Sequence, residues 1–173
     1  MQNPLKSCSI IEELNNNIKQ NYSFDFEHPP QSLSVNRIRT LHVNDYGELY
    51  VGTENGGINY YDRMKDQFYP INATSFPEAY QSQAKALSQA SISAIATDAI
   101  GQIWIGTFSQ GIFILQKNSA GDFSDIRHFF SEVSKSNFQV NAVKADKEGK
   151  IWMGTDHGLF QAKPANVTSD KHS

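Results

Sequence analysis

The sequence lacks the features that would tie it to several common protein classes. Its 173 residues include one cysteine, Cys8, which excludes an intrachain disulfide and a cysteine-built zinc site. No apolar run approaches the ~18 residues that a membrane-spanning helix needs. Met1–Ile11 has neither a basic start nor an apolar core, so no signal peptide is expected there. Positive charge is not in excess either: 15 Lys and Arg stand against 18 Asp and Glu, a formal charge of −3. A nucleic-acid or anionic-membrane binder would normally show a basic face, so no nucleic acid and no membrane contact is expected. With 39% hydrophobic and 12% aromatic residues, the composition is that of a globular chain. At this length it can bury ~70% of its unfolded surface and hold a real core.

An internal repeat is what the sequence does have. Gly47-Glu48-Leu49-Tyr50-Val51-Gly52-Thr53, Gly101-Gln102-Ile103-Trp104-Ile105-Gly106-Thr107 and Gly149-Lys150-Ile151-Trp152-Met153-Gly154-Thr155 align without gaps. A short turn then leads to Gly57-Ile58, Gly111-Ile112 and Gly158-Leu159. The opening glycines lie 54 and 48 residues apart, a period of propeller blades, helical solenoids or arrays. Upstream, Ile38, Ile92 and Val140 fall at one repeat position, Leu41, Ile95 and Val143 at a second, and Asn44, Asp98 and Asp146 at a third. Asn or Asp followed three residues later by glycine signals a tight turn. Each unit therefore reads as strand, turn, strand, turn, strand, and Asn55-Gly56 predicts a type I′ hairpin with positive φ at both residues. Strands apolar on both faces must be covered on both faces, which excludes a helical array and describes blades of a β-propeller. Tyr50, Trp104 and Trp152 share a face with Gly52, Gly106 and Gly154, so each ring is expected to be buried over a bare glycine.

The predicted fold is all-β, a partial propeller of about three four-stranded antiparallel blades. Residues 1–21 are read as an irregular segment, 22–163 as blades (22–71, 90–130 and 138–163) and 164–173 as a disordered tail. Outer strands are expected at Gln67–Ile71 and Asp125–Phe130, and none follows the third unit. A partly helical insert over 72–89 accounts for the longer first spacing, with Ser75 as its cap and Pro77 in its first turn. Tyr22–Phe26 reads as a spare strand.

The quoted motifs, with Ser32–Ile38 ahead of the first, resemble the two-component-regulator propeller repeat over roughly Phe24 to Lys163. The resemblance implies a large propeller of the kind found in sensor regions of bacterial hybrid histidine kinases and diguanylate cyclases, commonly periplasmic. Three blades without a kinase or cyclase part imply a fragment or a truncated member.

No residue is singled out for catalysis, for a cofactor or for a metal, and the ligand-binding residues are unknown at this level. Thr53–Gly57 resembles a phosphate loop only superficially, because a strand follows it where a helix N-terminus is required. Asn44–Glu48 and Asp146–Gly149 lack the spaced oxygen ligands of a calcium loop and read as turns. His28, His42, His128, His157 and His172 never fall at metal-ligand spacing; His157, in the last turn, is read as solvated. Nothing near Cys8 would activate it. The leading functional expectation is a non-catalytic sensor or binding module taking a small molecule or saccharide. A structural or protein–protein interaction module is the second reading, and a propeller lyase or hydrolase the third. Three blades are too few to close a ring, so a homodimer is expected, with Tyr22–Phe26 of one chain pairing beside Gly158–Ala162 of the other.

Overall fold

The computed structural model describes residues 22–27, 31–129 and 138–163. The expectations for segment 1–21, for Phe130 and for the tail 164–173 lie outside the described residues. Three antiparallel sheets follow one another along the chain. The first joins β1 (Ile38–Val43), β2 (Leu49–Thr53), β3 (Ile58–Asp62) and β4 (Gln67–Pro70) in sequence order. The second repeats that order with β5 (Ile92–Thr97), β6 (Ile103–Thr107), β7 (Ile112–Lys117) and β8 (Phe123–Phe129). The third contains β9 (Val140–Ala145), β10 (Ile151–Thr155) and β11 (Gly158–Ala162). This is the all-β, bladed architecture that the repeat predicts, and β1, β5 and β9 each begin at the repeat position of Ile38, Ile92 and Val140.

The same turn opens every blade. Asn44, Asp98 and Asp146 each accept two backbone N–H bonds through Oδ1, from Tyr46 and Glu48, from Ile100 and Gln102, and from Glu148 and Lys150. Gly47, Gly101 and Gly149 close these turns with φ between 76° and 85°, a region glycine enters without steric cost. The second carboxylate oxygen does separate work. Asp98 Oδ2 accepts the indole N–H of Trp104 at 2.7 Å, and Asp146 Oδ2 that of Trp152 at 2.7 Å. The first blade has Asn and Tyr at these positions, and the bond is relayed: Asn44 Nδ2 and the Tyr50 hydroxyl both donate to Glu48 Oε2.

Each blade packs on the next through a large cluster. Tyr50 and Ile58 meet Ile92, Ile95, Ile103 and Ile105 between the first two blades, while Trp104, Ile112 and Ile114 meet Val140, Val143, Ile151 and Met153 between the second and third. Tyr50 and Trp104 are buried as expected, but Trp152 is only half-buried. The glycines on this face are opposed by something other than the rings. A Cβ on Gly52 would meet Ile92 Cγ2 at 2.6 Å, and one on Gly106 would meet Val140 Cγ1 at 2.6 Å. The first residue of each following blade is thus a knob seated on the glycine of the blade before.

Three other expectations need correction. The left-handed residues of the first hairpin are Asn55 and Gly57, with φ of 57° and 66°, not Asn55 and Gly56; Thr53 N–H bonds across a four-residue loop to Gly57 O at 3.0 Å. Gly56 is needed for space, since a Cβ there would fall 2.8 Å from Val35. Tyr22–Phe26 forms no strand. It lies on the first blade, where the Tyr22 ring meets Tyr61 and Phe68 edge-on at 5.7 and 5.1 Å. In the insert, Asn72 rather than Ser75 is the cap, with Ser75 returning a bond to the Asn72 backbone, and Pro77 precedes a 3-10 turn at Glu78–Tyr80. Helix α1 (Gln81–Ser88) follows. It is part of the core, because Ala84 and Leu87 are fully buried in the cluster between the first two blades. Leu33, five residues before Ile38, occupies the repeat position of Leu87 and is buried likewise.

Candidate functional site

The arrangement with most chemical content lies at the rim between the first two blades. Lys117, the last residue of β7, reaches back across the blade boundary and pairs with Glu48 at 2.6 Å. Its ammonium sits 5.5 Å from the Tyr50 ring centroid, 5.7 Å from that of Tyr60 and 5.2 Å from that of Phe123, within cation–π range of all three. Burial favours the neutral form of Glu48, but hydrogen bonds from Lys117, Asn44 and Tyr50 outweigh it and hold the carboxyl below the usual range. Tyr50 is driven the other way, upward, by burial and by the Glu48 charge. The pair is therefore a fixed, internally neutral floor.

Above that floor is a groove of about 580 Å³ lined by Tyr60, Lys65, Tyr69, Asn72, Asp122 and Phe123, with the Glu48–Lys117 pair at its base. Both sheets and the insert between them build it. β3 and β4 supply Tyr60 and Tyr69, whose rings stack at 5.9 Å. The insert supplies Asn72, fixed by its capping role, the β7–β8 turn supplies Asp122, and the start of β8 supplies Phe123. That turn repeats the Asx device, with Asn118 Oδ1 accepting from Ala120 and Asp122 N–H. Lys65 lies 5.2 Å over the Tyr69 ring and 3.3 Å from Asp62; its bond to Asp62 raises its pKa. Stacked aromatic faces with polar groups at the margin bind flat, hydroxylated molecules by ring contact and hydrogen bonds. A second cleft, also of about 580 Å³, lies under Tyr22, Phe24, Phe26 and Asp66. One wall is the strandless segment at residues 22–27, whereas the rim groove is held by two sheets.

The residues weighed in the sequence fall elsewhere. The Thr53–Gly57 loop is followed by β3 and is a hairpin. Asn44, Asp98 and Asp146 spend Oδ1 on their own turns, and Asp98 and Asp146 give Oδ2 to the indole N–H groups of Trp104 and Trp152. His42 bonds Thr97 across the inner strands at 2.9 Å, and burial together with the Lys144 charge lowers its pKa. His128 stacks on Phe113 at 3.7 Å and is also lowered by burial. His157 is exposed in its turn beside Asp156. Among the described residues no group of three or more His, Cys, Asp and Glu is placed to hold a metal. Cys8, His28 and His172 lie outside the described residues. The rim groove was missed in the sequence, and its one available signal is that Lys117 shares a repeat position with Arg63.

Sheets of this order, packed blade on blade through a recurrent knob and glycine, define part of a β-propeller. The family resemblance is found as well: residues 86–109, from the end of α1 through β6, match the family model described as "Two component regulator propeller". Among solved structures, the extracellular domain of a hybrid two-component system of B. thetaiotaomicron superposes with a TM-score of 0.61 at 24% identity, over 86% of this chain and 18% of that one. The extracellular domain of a one-component system from the same organism gives 0.39 at 19% identity, over 82% and 23% of the two chains. Virginiamycin B lyase of Staphylococcus aureus gives 0.43 at 13% identity, over 75% and 42%. The chain thus spans less than a fifth of the length of the first of these proteins. No curated protein matches it. No described helix is long and apolar enough to cross a membrane.

Proposed function

We propose that this chain is the ligand-binding portion of a non-catalytic sensor propeller, working outside the cytoplasm and binding a neutral saccharide in the rim groove. The carrying observation is the groove itself, in which Tyr60, Tyr69 and Phe123 surround a floor whose Lys117 is neutralised by Glu48, with Lys65 at the margin paired to Asp62. With that charge satisfied internally, the groove favours an uncharged ligand. The likeness to the extracellular domain of the hybrid two-component system and the propeller repeat at 86–109 support the sensor reading. In such a module, a ligand bridging two blades would bias their packing, and an output domain elsewhere in a longer protein would read that change.

A thermal-shift screen against neutral oligosaccharides, with acidic ones as controls, tests this. A ligand at one hundred times its Kd stabilises the fold by ~2.7 kcal/mol. The expected result is a concentration-dependent rise with a neutral saccharide that Tyr69→Ala abolishes. No response to the neutral set, or one that survives Tyr69→Ala, overturns the assignment. The second reading, an interaction module, is favoured by the exposed apolar side chains Leu41, Val43 and Leu159 on the first and third blades.

A further inference from the structure

The fold already uses most of the polar groups that line the rim groove. Glu48 accepts bonds from Lys117, Asn44 and Tyr50, and Lys117 is held by that carboxylate among three aromatic rings. Lys65 is paired with Asp62 at 3.3 Å. The Tyr69 hydroxyl donates to Gln67 Oε1 at 2.9 Å. In the insert, Asn72 Oδ1 accepts from the backbone N–H and the hydroxyl of Thr74, and Ser75 Oγ accepts from the Asn72 N–H.

Two polar groups of the lining are wholly unspent: the Tyr60 hydroxyl, from the first blade, and the Asp122 carboxylate, from the second. Among the described residues neither makes a side-chain hydrogen bond or an ion pair. Both are nonetheless firmly presented. Tyr60 stands opposite Tyr69 in the β3–β4 ladder, ring against ring at 5.9 Å. Burial and the Asp62 charge push its pKa upward, so the hydroxyl keeps its proton to donate. The backbone of Asp122 is clamped by Asn118, whose Oδ1 accepts the Asp122 N–H at 3.0 Å and whose N–H donates to Asp122 O at 2.9 Å. The same turn at Asn44 and at Asp146 places Glu48 and Lys150 at the corresponding position, and there the side chains are paired, with Lys117 and Glu148. The turn at Asn118 leaves its carboxylate open to the groove.

We propose, resting on the saccharide reading above, that Asp122 and Tyr60 select the ligand, and that it is a neutral saccharide presenting two adjacent free hydroxyls to Asp122. The two carboxylate oxygens match two neighbouring O–H donors on one sugar ring, and both bonds are charge-assisted. The C–H face of the same ring lies on an aromatic side chain of the groove. Tyr60 donates from the other blade to a remaining ligand oxygen, so the two selecting groups grip the ligand across the blade boundary. An acidic group at the edge that meets Asp122 is rejected by like charge.

Isothermal titration calorimetry of the whole chain against cellohexaose, laminarihexaose, mannohexaose and maltohexaose tests this. One of them should bind the wild type. Asp122→Ala should weaken that binding about 10- to 150-fold, as the loss of hydrogen bonds to a charged group. Tyr60→Phe keeps the ring stack and should weaken it about 2- to 10-fold, as the loss of one neutral bond. Neither change should move the melting temperature of the free protein, because neither group bonds to another side chain. The O-methylated form of the same oligosaccharide keeps its apolar faces but has no hydroxyl to donate, and should not bind. Unchanged affinity in Asp122→Ala, or binding of the O-methylated form, overturns the inference; if Tyr69→Ala still abolishes binding, the groove assignment stands without it. Tighter binding of a chitosan hexamer, whose amines would meet Asp122 as cations, also overturns it. No wild-type response to any of the four neutral sugars overturns the saccharide reading itself, and the inference with it.

Discussion

The bond between Asp98 and Trp104 gives the sharpest stability prediction, because one side chain there closes a turn and anchors a ring. Asp98 is 6% exposed; its Oδ1 accepts backbone N–H bonds at 3.0 and 2.9 Å, and its Oδ2 accepts the indole N–H at 2.7 Å. Asp98→Asn keeps an oxygen for the turn but turns an NH2 toward the indole N–H, so two donors face each other. Losing one charge-assisted bond in a buried site costs about 1.5–3 kcal/mol, and the opposed donors put the expected value near the upper end. Trp104→Phe removes the same bond from the other side and adds the loss of ring volume. Because the bond can be lost only once, the double variant should be less destabilised than the sum by about 1–2 kcal/mol. Urea unfolding of the four proteins, with the m-value constant, measures this. Additivity within about 0.5 kcal/mol would show that the two groups do not act as a unit. The first blade explains why asparagine is tolerated at Asn44: there Glu48 relays the bond to Tyr50.

Trp104→Ala should cost about 3–5 kcal/mol by calorimetry, as a core truncation between two blades. Gly106→Val drives a methyl into Val140 and should cost about 3 kcal/mol by urea titration, the top of the overpacking range. His42 and His128 are both held below the ordinary histidine range in the fold. The unfolded chain therefore binds more protons near their ordinary value, and stability present above about pH 6.5 is lost as pH falls below it. Melting temperature should drop from pH 7.5 to 5.5, and less steeply in His42→Gln; an unchanged slope would rule out His42 as a source.

The repeat made the strand starts legible: glycine and Asx at fixed spacing place β1, β5 and β9 to the residue. The turns were legible for the same reason, since only positive φ demands Gly47, Gly101 and Gly149. What crosses from blade to blade was not. Gly52 and Ile92 meet because sheets stack, and no spacing within a unit encodes that contact. The same holds for the rim groove, whose Glu48 and Lys117 are 69 residues apart and on different blades. Tyr22–Phe26 alternates like a strand, yet its Tyr22 ring docks on Tyr61 and Phe68 while Phe24 and Phe26 pack on each other, and it makes no ladder. The insert reads as helix from its alanines, but only the packed position of Ala84 and Leu87 shows that it seals the boundary between two blades.

The lateral stacking of blades also fixes how the chain comes apart. Among the described residues of a single chain, the second blade is covered on both sides and the first and third on one each, so the free energy of opening is graded along these blades rather than uniform. Amide protons of β6 and β7 should be the last to exchange with solvent, reporting the loss of two neighbours at once. Those of β10 and β11 should exchange first, since their blade can peel from Trp104 and Ile114 while the first two remain joined. Fraying then starts at Gly154, and any molecule that caps that end acts as a brake on the unzipping of the whole row.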